Sequence, residues 1–500
     1  MLKHDESYLL NSSLLQLFPV LAVNIAAISS GLAIGFSAIL LPQLRPEHNQ
    51  TDHHTSGFYQ PFLITEEEGS WIAAMFSLGA IFGGLISAYL GKKFGRRVSL
   101  MMLALPDLLG WILCASAQNL WMMLAGRFLV GLSAAGYSPN IQIFVAEITE
   151  ARHRGWLSGL TMPMMSIGVL MMYTMGSWLP WHYAAAICTG LPVLLELAVY
   201  NLYDSPYWYF SIGKEKSAHS AIEKFRGPGS NLVSEIFTIQ QHVESVEREE
   251  QSFLSAVITI FTDKKYLKPF TILNSLFFLM VFSGKFTIDF YAVDFFKHTG
   301  SHINEYISAV IIAFIHLVGS LIFIPLIKKT SRKLLLSISS LVMGTALAGL
   351  AIWMSYSSAA TDWVPVICLL VYMLAAPLGL CSLPFLYIAE FYPSELRSVL
   401  AGLTTMLTNI MMALVVKSFT NLESLLGHYG VVFLYSGACF GAILLTLSYV
   451  PETKDKSLTV IHDKFARLKA ARASPWVTPL PSPSVNSVRK FQYKTQMFTQ

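Results

Sequence analysis

Apolar stretches long enough to cross a membrane recur along the whole chain of 500 residues. A membrane-spanning helix needs about 20 predominantly apolar residues, and by this criterion we predict twelve spans, numbered 1 to 12 in chain order. They cover residues 17–41, 71–91, 98–117, 121–145, 156–178, 182–203, 269–296, 304–327, 333–355, 363–388, 398–420 and 430–450. Charged residues make up only 13% of the chain. The predicted class is therefore an all-α membrane protein.

Basic residues are concentrated on one side of the predicted spans. The short connections after spans 2, 4, 8 and 10 contain Lys92, Lys93, Arg96, Arg97, Arg152, Arg154, Lys328, Lys329, Arg332, Lys333 and Arg397. The connections on the other side contain Arg45 and Lys297, with Lys417 near the end of span 11. By the positive-inside rule both termini are cytoplasmic, and we expect a multi-pass protein of the plasma membrane. Asn49 opens an Asn-Gln-Thr sequon in the first external loop, which predicts glycosylation there.

Two sequence patterns occur once in each half of the chain. Lys92-Lys-Phe-Gly-Arg-Arg97 has a counterpart in Lys328-Lys-Thr-Ser-Arg-Lys333. Ala146-Glu147 followed by Arg154 has a counterpart in Ala389-Glu390 followed by Arg397. Six spans are therefore repeated in parallel, which is typical of transporters whose binding site lies at the midplane between two halves.

The repeat divides the chain into two bundles with polar segments around them. The predicted parts are a cytoplasmic N-terminus (1–16), a first six-helix bundle (17–203), cytoplasmic linker helices (204–268), a second six-helix bundle (269–450) and a cytoplasmic tail (451–500). Beyond about residue 465 the tail is basic and then rich in Ser and Pro, a composition that predicts disorder.

Several classes of function do not fit this composition. The net charge is +4 and the basic residues lie in loops, which argues against nucleic-acid binding. The sequence has no phosphate-binding loop, metal-ligand spacing or nucleophile triad, so we expect no enzyme, no cofactor and no metal site. The five cysteines fall in apolar segments, as small buried hydrophobic residues do. We expect a monomer whose partners are a small-molecule substrate and the lipid bilayer.

Short motifs along residues 17–462 resemble those of a known family. They are Gly95-Arg96-Arg97, Gly126-Arg127-Phe128, AEITEARHRG at 146–155, AEFYPSELR at 389–397 and PETKDKSL at 451–458. Jointly they resemble the sugar porters of the major facilitator superfamily, especially insect facilitated trehalose transporter-like proteins. The resemblance implies the major facilitator fold, with twelve transmembrane helices in two pseudo-symmetric six-helix bundles. It also implies alternating access, in which the bundles rock around a central site.

The resemblance further implies a cytoplasmic gate made of acid–base pairs, such as Glu147 with Arg154 and Glu390 with Arg397. The complete predicted gate is Arg96, Arg97, Arg127, Glu147, Arg154, Arg332, Lys333, Glu390 and Arg397. Such pairs contribute about 0–1 kcal/mol each, and together they can bias a two-state equilibrium. The alternative interpretation is that these charges only anchor loops at the lipid headgroups.

The predicted central cavity is more apolar than the family pattern implies, because amides expected in spans 5, 7 and 11 are replaced. The positions that match the family's substrate site are Met162, Met280, Val281, Lys285, Phe286, Asp289, Tyr291, His316, Phe385, Thr408, Asn409 and Met412. Each sugar hydroxyl removed from water needs a hydrogen-bond partner. We therefore expect an altered pocket with isolated polar points.

Lys285 and Asp289 are the main polar points, one helical turn apart in span 7. Three interpretations remain open for them: a self-neutralising ion pair, a contact to substrate or coupling ion, and charges exposed at the cavity rim. His316 fits a substrate contact, a titrating group or a hydrogen-bonded packing residue.

The function predicted from these patterns is facilitative uptake of a sugar, trehalose or a hexose, by a uniporter. Span 1 has no acidic residue, whereas proton-coupled sugar porters tend to have one there, which favours a facilitator. One alternative is a transporter of an amphipathic or charged solute recognised through Lys285, Asp289 and His316. A third hypothesis is a sensor that no longer transports and signals through its tail.

Overall fold

The computed structural model shows that the chain is largely helical. It describes residues 2–45, 62–226, 253–298, 304–356, 363–393 and 396–454, together with 236–237, 239–240 and 456. Asn49 and the tail beyond residue 456 lie outside the described residues, so glycosylation and disorder there remain predictions.

Six spans form the first half. Their helices are Leu2–Leu44, Glu66–Phe94, Arg96–Ala115, Leu120–Ile148, Ala151–Gly159 with Thr161–Gly176 for span 5, and Trp181–Cys188 with Gly190–Tyr200 for span 6. Span 1 differs most from its prediction, since its helix begins at Leu2. Polar residues continue a helix beyond its apolar part, because the backbone hydrogen bonds do not depend on side-chain hydropathy.

The second half repeats this arrangement after a linker whose described part includes the helices Pro206–Ser211, Glu215–Arg226 and Phe253–Thr262. Its helices are Lys264–Phe282 with Lys285–Phe290 for span 7, then Ala292–His298, Glu305–Lys329, Arg332–Tyr356, and Val364–Ala375 with Leu383–Phe391 for span 10. Spans 11 and 12 lie in one continuous assignment, Arg397–Tyr449, which breaks at Gly427 where φ is 71°. The described chain thus has 11 membrane-length helical segments, the last long enough for two spans. The count agrees with the twelve predicted.

The two halves meet along spans 1, 2 and 5 of the first and spans 7, 8 and 11 of the second. We call the end of the bundle that contains Arg96, Glu147, Arg332 and Glu390 the basic end. The other end, where Arg45 and Lys417 lie, is called the opposite end. The predicted central residues lie between these ends.

Close backbone packing inside the first half depends on glycine. A Cβ atom on Gly131 in span 4 would lie 2.0 Å from the carbonyl oxygen of Phe76 in span 2. In membrane helices, small residues allow backbones to approach this closely and to gain van der Waals contact. Spans 2 and 4 are therefore held together by a surface that tolerates no added methyl group.

We predict that Gly131→Ala destabilises the protein, because the methyl group overlaps a backbone atom that cannot move alone. Overpacking of this kind costs about 1–3 kcal/mol. Gly437→Ala is the matched control, since no atom lies within 4 Å of a Cβ built there. Thermal melting in detergent, monitored by size-exclusion chromatography, should show a lower melting temperature for Gly131→Ala only. Equal melting of the two variants contradicts this account.

Candidate transport site and gates

Lys285 and Asp289 form an ion pair inside the protein. Span 7 is interrupted at Gly284, whose φ of 86° is in the left-handed region that favours glycine, and the helix resumes at Lys285. The two charges therefore lie one turn apart on one short helix, and the Lys285 ammonium donates to the Asp289 carboxylate. Their exposed fractions are only 6% and 8%. The geometry is that of the self-neutralising pair.

Span 5 of the first half contacts this region of the second half through two polar side chains. The Tyr173 hydroxyl donates to the backbone oxygen of Asp289 at 2.7 Å. Seven residues earlier, Ser166 Oγ lies 3.0 Å from His316 Nδ1 in span 8. Two side chains that lie two turns apart on span 5 thus each hydrogen-bond across the interface between the halves. His316 is hydrogen-bonded there, which agrees with its interpretation as a hydrogen-bonded packing residue.

The other residues of the predicted cavity have different surroundings. Met280, Val281 and Met412 are buried among apolar side chains, and Met162 and Phe286 are half-buried. Thr408 and Asn409 donate to backbone oxygens of their own helix, at residues 404 and 405. Each of these two side chains therefore already donates a hydrogen bond to the backbone of span 11.

Two predicted aromatic residues lie apart from the ion pair. The Tyr291 hydroxyl donates to the backbone oxygen of Val416 at 3.4 Å, and its ring packs on Phe419 with centroids 4.8 Å apart. Phe385 is 42% exposed and its ring meets the edge of Phe277 in span 7. Tyr291 thus joins span 7 to span 11, whereas Phe385 joins span 7 to span 10.

Acid–base pairs occur at the basic end, and both are made by residues of the predicted gate. Arg96 pairs with Glu147 at 3.3 Å in the first half, and Arg332 pairs with Glu390 in the second. Each pair joins the start of the third span of its half to the end of the fourth. The equivalence of the two pairs confirms the internal repeat at the level of side chains.

The remaining predicted gate residues bind backbone oxygens. Arg97 donates to Leu202, Lys333 to Leu447 and Arg397 to Tyr392, at distances of 2.6, 2.9 and 3.1 Å. The predicted pairing of Glu390 with Arg397 is therefore replaced by Glu390 with Arg332. The side chain of Arg154 lies outside the described part of the chain.

The prediction that Arg127 belongs to the gate at the basic end is wrong. Arg127 lies two turns into span 4, near the opposite end, about 30 Å along the helix from Glu147. Its guanidinium donates to the Ala33 oxygen and the Ser37 hydroxyl, both at 2.7 Å. The predicted bounds of span 4, residues 121–145 with the basic connection after residue 145, already place Arg127 near the opposite end; the gate role came from the family resemblance alone.

Two further acids lie at the basic end and were not among the predicted gate residues: Asp204, the first residue of the linker, and Glu452, in the PETKDKSL motif. Asp204 accepts from the backbone N–H groups of Arg96 and Arg97 at 2.9 and 3.1 Å. Glu452 accepts from those of Arg332 and Lys333 at 3.2 and 3.1 Å. A carboxylate at a helix N-terminus satisfies free N–H groups and the helix dipole. Each acid follows the sixth span of its half, and that equivalent position is the sequence signal for its role.

The pKa values of these two acids differ. Burial raises the pKa of Asp204, although N–H groups of Ser205, Arg96 and Arg97 oppose the rise. Burial also acts to raise the pKa of Glu452, but the Ser331 hydroxyl and three backbone N–H groups lower it to about 2. Glu452 therefore stays ionised throughout the physiological range.

Known proteins share this architecture. The sequence profile described as "Sugar (and other) transporter" matches residues 20–465. The chain belongs to this family. The transporter is 29% identical over 457 residues to the facilitated trehalose transporter Tret1 of Apis mellifera ligustica, covering 90% of this chain and 88% of the relative. It is 28% identical to the Bombyx mori protein of the same name, covering 90% and 86%.

Solved structures support the same fold. The transporter matches the major facilitator proton:xylose symporter XylE bound to 6-bromo-6-deoxy-D-glucose with a TM-score of 0.71 at 19% identity, covering 89% of this chain and 99% of that one. The inward-open XylE structure from E. coli matches with a TM-score of 0.71 at 17% identity, covering 89% and 98%. These matches and the family confirm the predicted major facilitator fold, and they identify a transporter and not an enzyme.

We predict that Lys285→Met destabilises the transporter by about 3–5 kcal/mol, because it leaves Asp289 as an unpaired buried charge. Replacing both residues, as Lys285→Met with Asp289→Leu, should be neutral or stabilising. Melting temperatures of the two single variants and the double variant in detergent test this. Additive losses across the three variants contradict a self-neutralising pair.

We also predict that the stabilisation supplied by Glu452 depends on pH. Its pKa is lowered on folding, from 4.5 to about 2, so its contribution is complete above pH 4.5 and is lost as the pH falls towards 2. Glu452→Gln removes the titrating group, so the melting difference between wild type and variant should shrink over that range. A difference that stays constant down to the lowest pH tolerated contradicts this role.

Proposed function

We propose that the transporter carries a neutral sugar across the plasma membrane by facilitated diffusion, with the basic end in the cytoplasm. The family match over residues 20–465 carries this proposal. The insect relatives are named as facilitated trehalose transporters, and we extend a sugar substrate to this chain. The positive-inside rule supports the orientation.

We place the substrate between spans 5, 7 and 8, next to Ser166, Tyr173 and His316. These three residues hydrogen-bond across the two halves, so opening the interface releases two hydroxyls, an imidazole and the backbone oxygen of Asp289 toward the site. Sugar hydroxyls both donate and accept hydrogen bonds and can replace these lost partners. Sugar binding thus replaces hydrogen bonds between the halves by hydrogen bonds to the sugar. This replacement couples substrate binding to the rocking of the two halves.

The ion pair favours a neutral substrate over the charged solute considered as an alternative. A charged ligand that binds one member of the pair would have to compete with the other member, which the chain holds one helical turn away. The displaced member would then be a buried charge without a neutralising partner. The family and the named relatives also favour sugar. We propose that Lys285 and Asp289 shape the site without contributing net charge.

Uptake of labelled trehalose and of labelled glucose into proteoliposomes tests this function. The purified transporter should give saturable uptake without a pH gradient, and an excess of unlabelled sugar on the inside should accelerate it. Ser166→Ala should raise the KM severalfold, since one hydrogen bond contributes about 0.5–1.5 kcal/mol. Ser177→Ala is a matched control, because that hydroxyl, at the end of span 5, donates to the Thr174 oxygen of the same span. Absence of uptake of either sugar by folded protein contradicts the proposal.

A further inference from the structure

Two of the basic residues at the opposite end bridge the two halves of the transporter. Arg45, at the end of span 1, lies 3.2 Å from the carboxylate of Asp294, in the helix that follows span 7. Their side chains are 19% and 7% exposed. The guanidinium thus ties the end of the first helix to the segment that continues the broken span 7.

Lys417 makes a second bridge, from span 11 to the start of span 2. Its ammonium donates to Ser70 Oγ at 2.8 Å and lies 4.7 Å from the centre of the Trp71 ring. Glu67 is 3.9 Å away, with an 80% exposed side chain. A hydroxyl and an aromatic face are the main partners, and a cation over tryptophan is favourable when partly desolvated.

These bridges are continuous with the central ion pair. Between Asp289 and Asp294 the chain turns from one short helix to the next, and Phe290 packs on Phe76 of span 2 with ring centroids 5.6 Å apart. The Arg127 guanidinium lies 6.0 Å from the Phe290 ring on the same side. Asp289, Phe290 and Asp294 in this segment therefore each contact the first half, through Tyr173, Phe76 and Arg45.

We propose that Arg45–Asp294 and Lys417–Ser70–Trp71 form a clamp that holds the transporter closed at the opposite end. Opening that end separates spans 1 and 2 from spans 7 and 11, which breaks both bridges and uncovers the segment next to the ion pair. This role rests on the proposed alternating-access function. The pairs at the basic end join helices within one half, whereas the clamp joins the halves, so the clamp acts directly on the rocking equilibrium.

The expected size of the effect follows from the exposure of the bridges. A partly exposed pair changes an equilibrium by up to about fivefold. Loss of both bridges should therefore raise the fraction of molecules open at the opposite end by about threefold to thirtyfold. Arg45→Lys and Lys417→Arg keep the charges and should change the fraction least.

Cysteine accessibility measures this equilibrium without a substrate. Phe419→Cys serves as the reporter, because Phe419 is 6% exposed and packs on Tyr291 between the bridges. The partly buried Cys368 and Cys381 are replaced by serine in the same chain. A membrane-impermeant maleimide is added to intact cells, and its reaction rate is compared with and without Arg45→Met and Lys417→Met.

The double variant should label about threefold to thirtyfold faster than the parent, and each single variant should lie between them. Lys93→Met and Lys454→Met are matched controls, since the described contacts of these lysines lie within their own halves at the basic end. A second reporter, Leu400→Cys, is fully buried near the basic end and should stay unlabelled from outside. Faster labelling of both reporters means general loosening and overturns the proposal.

An unchanged labelling rate of Phe419→Cys in the double variant, at equal surface expression, also overturns the clamp. The sugar-transport proposal fails on a different observation, namely the absence of uptake by wild-type protein in proteoliposomes. The two failures are distinguishable because the labelling rate reports only whether the opposite end opens.

Discussion

A charge inside a membrane has to be neutralised at short range, since the surrounding hydrocarbon offers no solvation. Lys285 and Asp289 satisfy this requirement within one helical turn, and the break at Gly284 is what allows the turn to begin there. Much of the neighbouring structure follows from that break. The short helix exposes its backbone to Tyr173 of the other half, and it leads into the segment that carries Asp294. One glycine thus positions a buried ion pair, a contact between the halves and a bridge at the end of the bundle.

At the basic end, carboxylates again neutralise positive charge, but there they join helices within one half. Asp204 and Glu452 each accept from backbone N–H groups at the start of the third span of a half, so a carboxylate completes a helix N-terminus. The arginine at that position is then directed to Glu147 or Glu390 at the end of the neighbouring span. These ion pairs and helix-terminal hydrogen bonds therefore hold the helices of each half together at the basic end. Rigid halves are a requirement of a rocking mechanism, because a bundle that deformed would not transmit motion from one end to the other.

The predictions that succeeded rest on local patterns. The spans follow from hydropathy and the repeat follows from spacing. The i to i+4 rule made an ion pair one of three interpretations of Lys285 and Asp289, and the structure contains that pair. The predictions that failed concern partners distant in sequence. Glu390 has Arg397 nearby in the chain but pairs with Arg332 from another helix. Arg127 was included in the gate through the family resemblance, although the predicted bounds of span 4 already put it near the opposite end. Ser166 and Tyr173 were missed since their partners lie in the other half of the chain.

The sequence alone determined that this protein is a twelve-span membrane protein built from two related halves, since a bilayer permits few other ways to satisfy the backbone of apolar segments. It also determined the sugar-porter resemblance and the existence of a charged turn in span 7. Only the tertiary structure decided which charges meet. Arg45 with Asp294 and Lys417 with Ser70 lie far apart in the chain and come together through the packing of the two halves. The physical reason is that side-chain pairing across helices depends on their relative depth and rotation, which periodicity within a single helix does not specify.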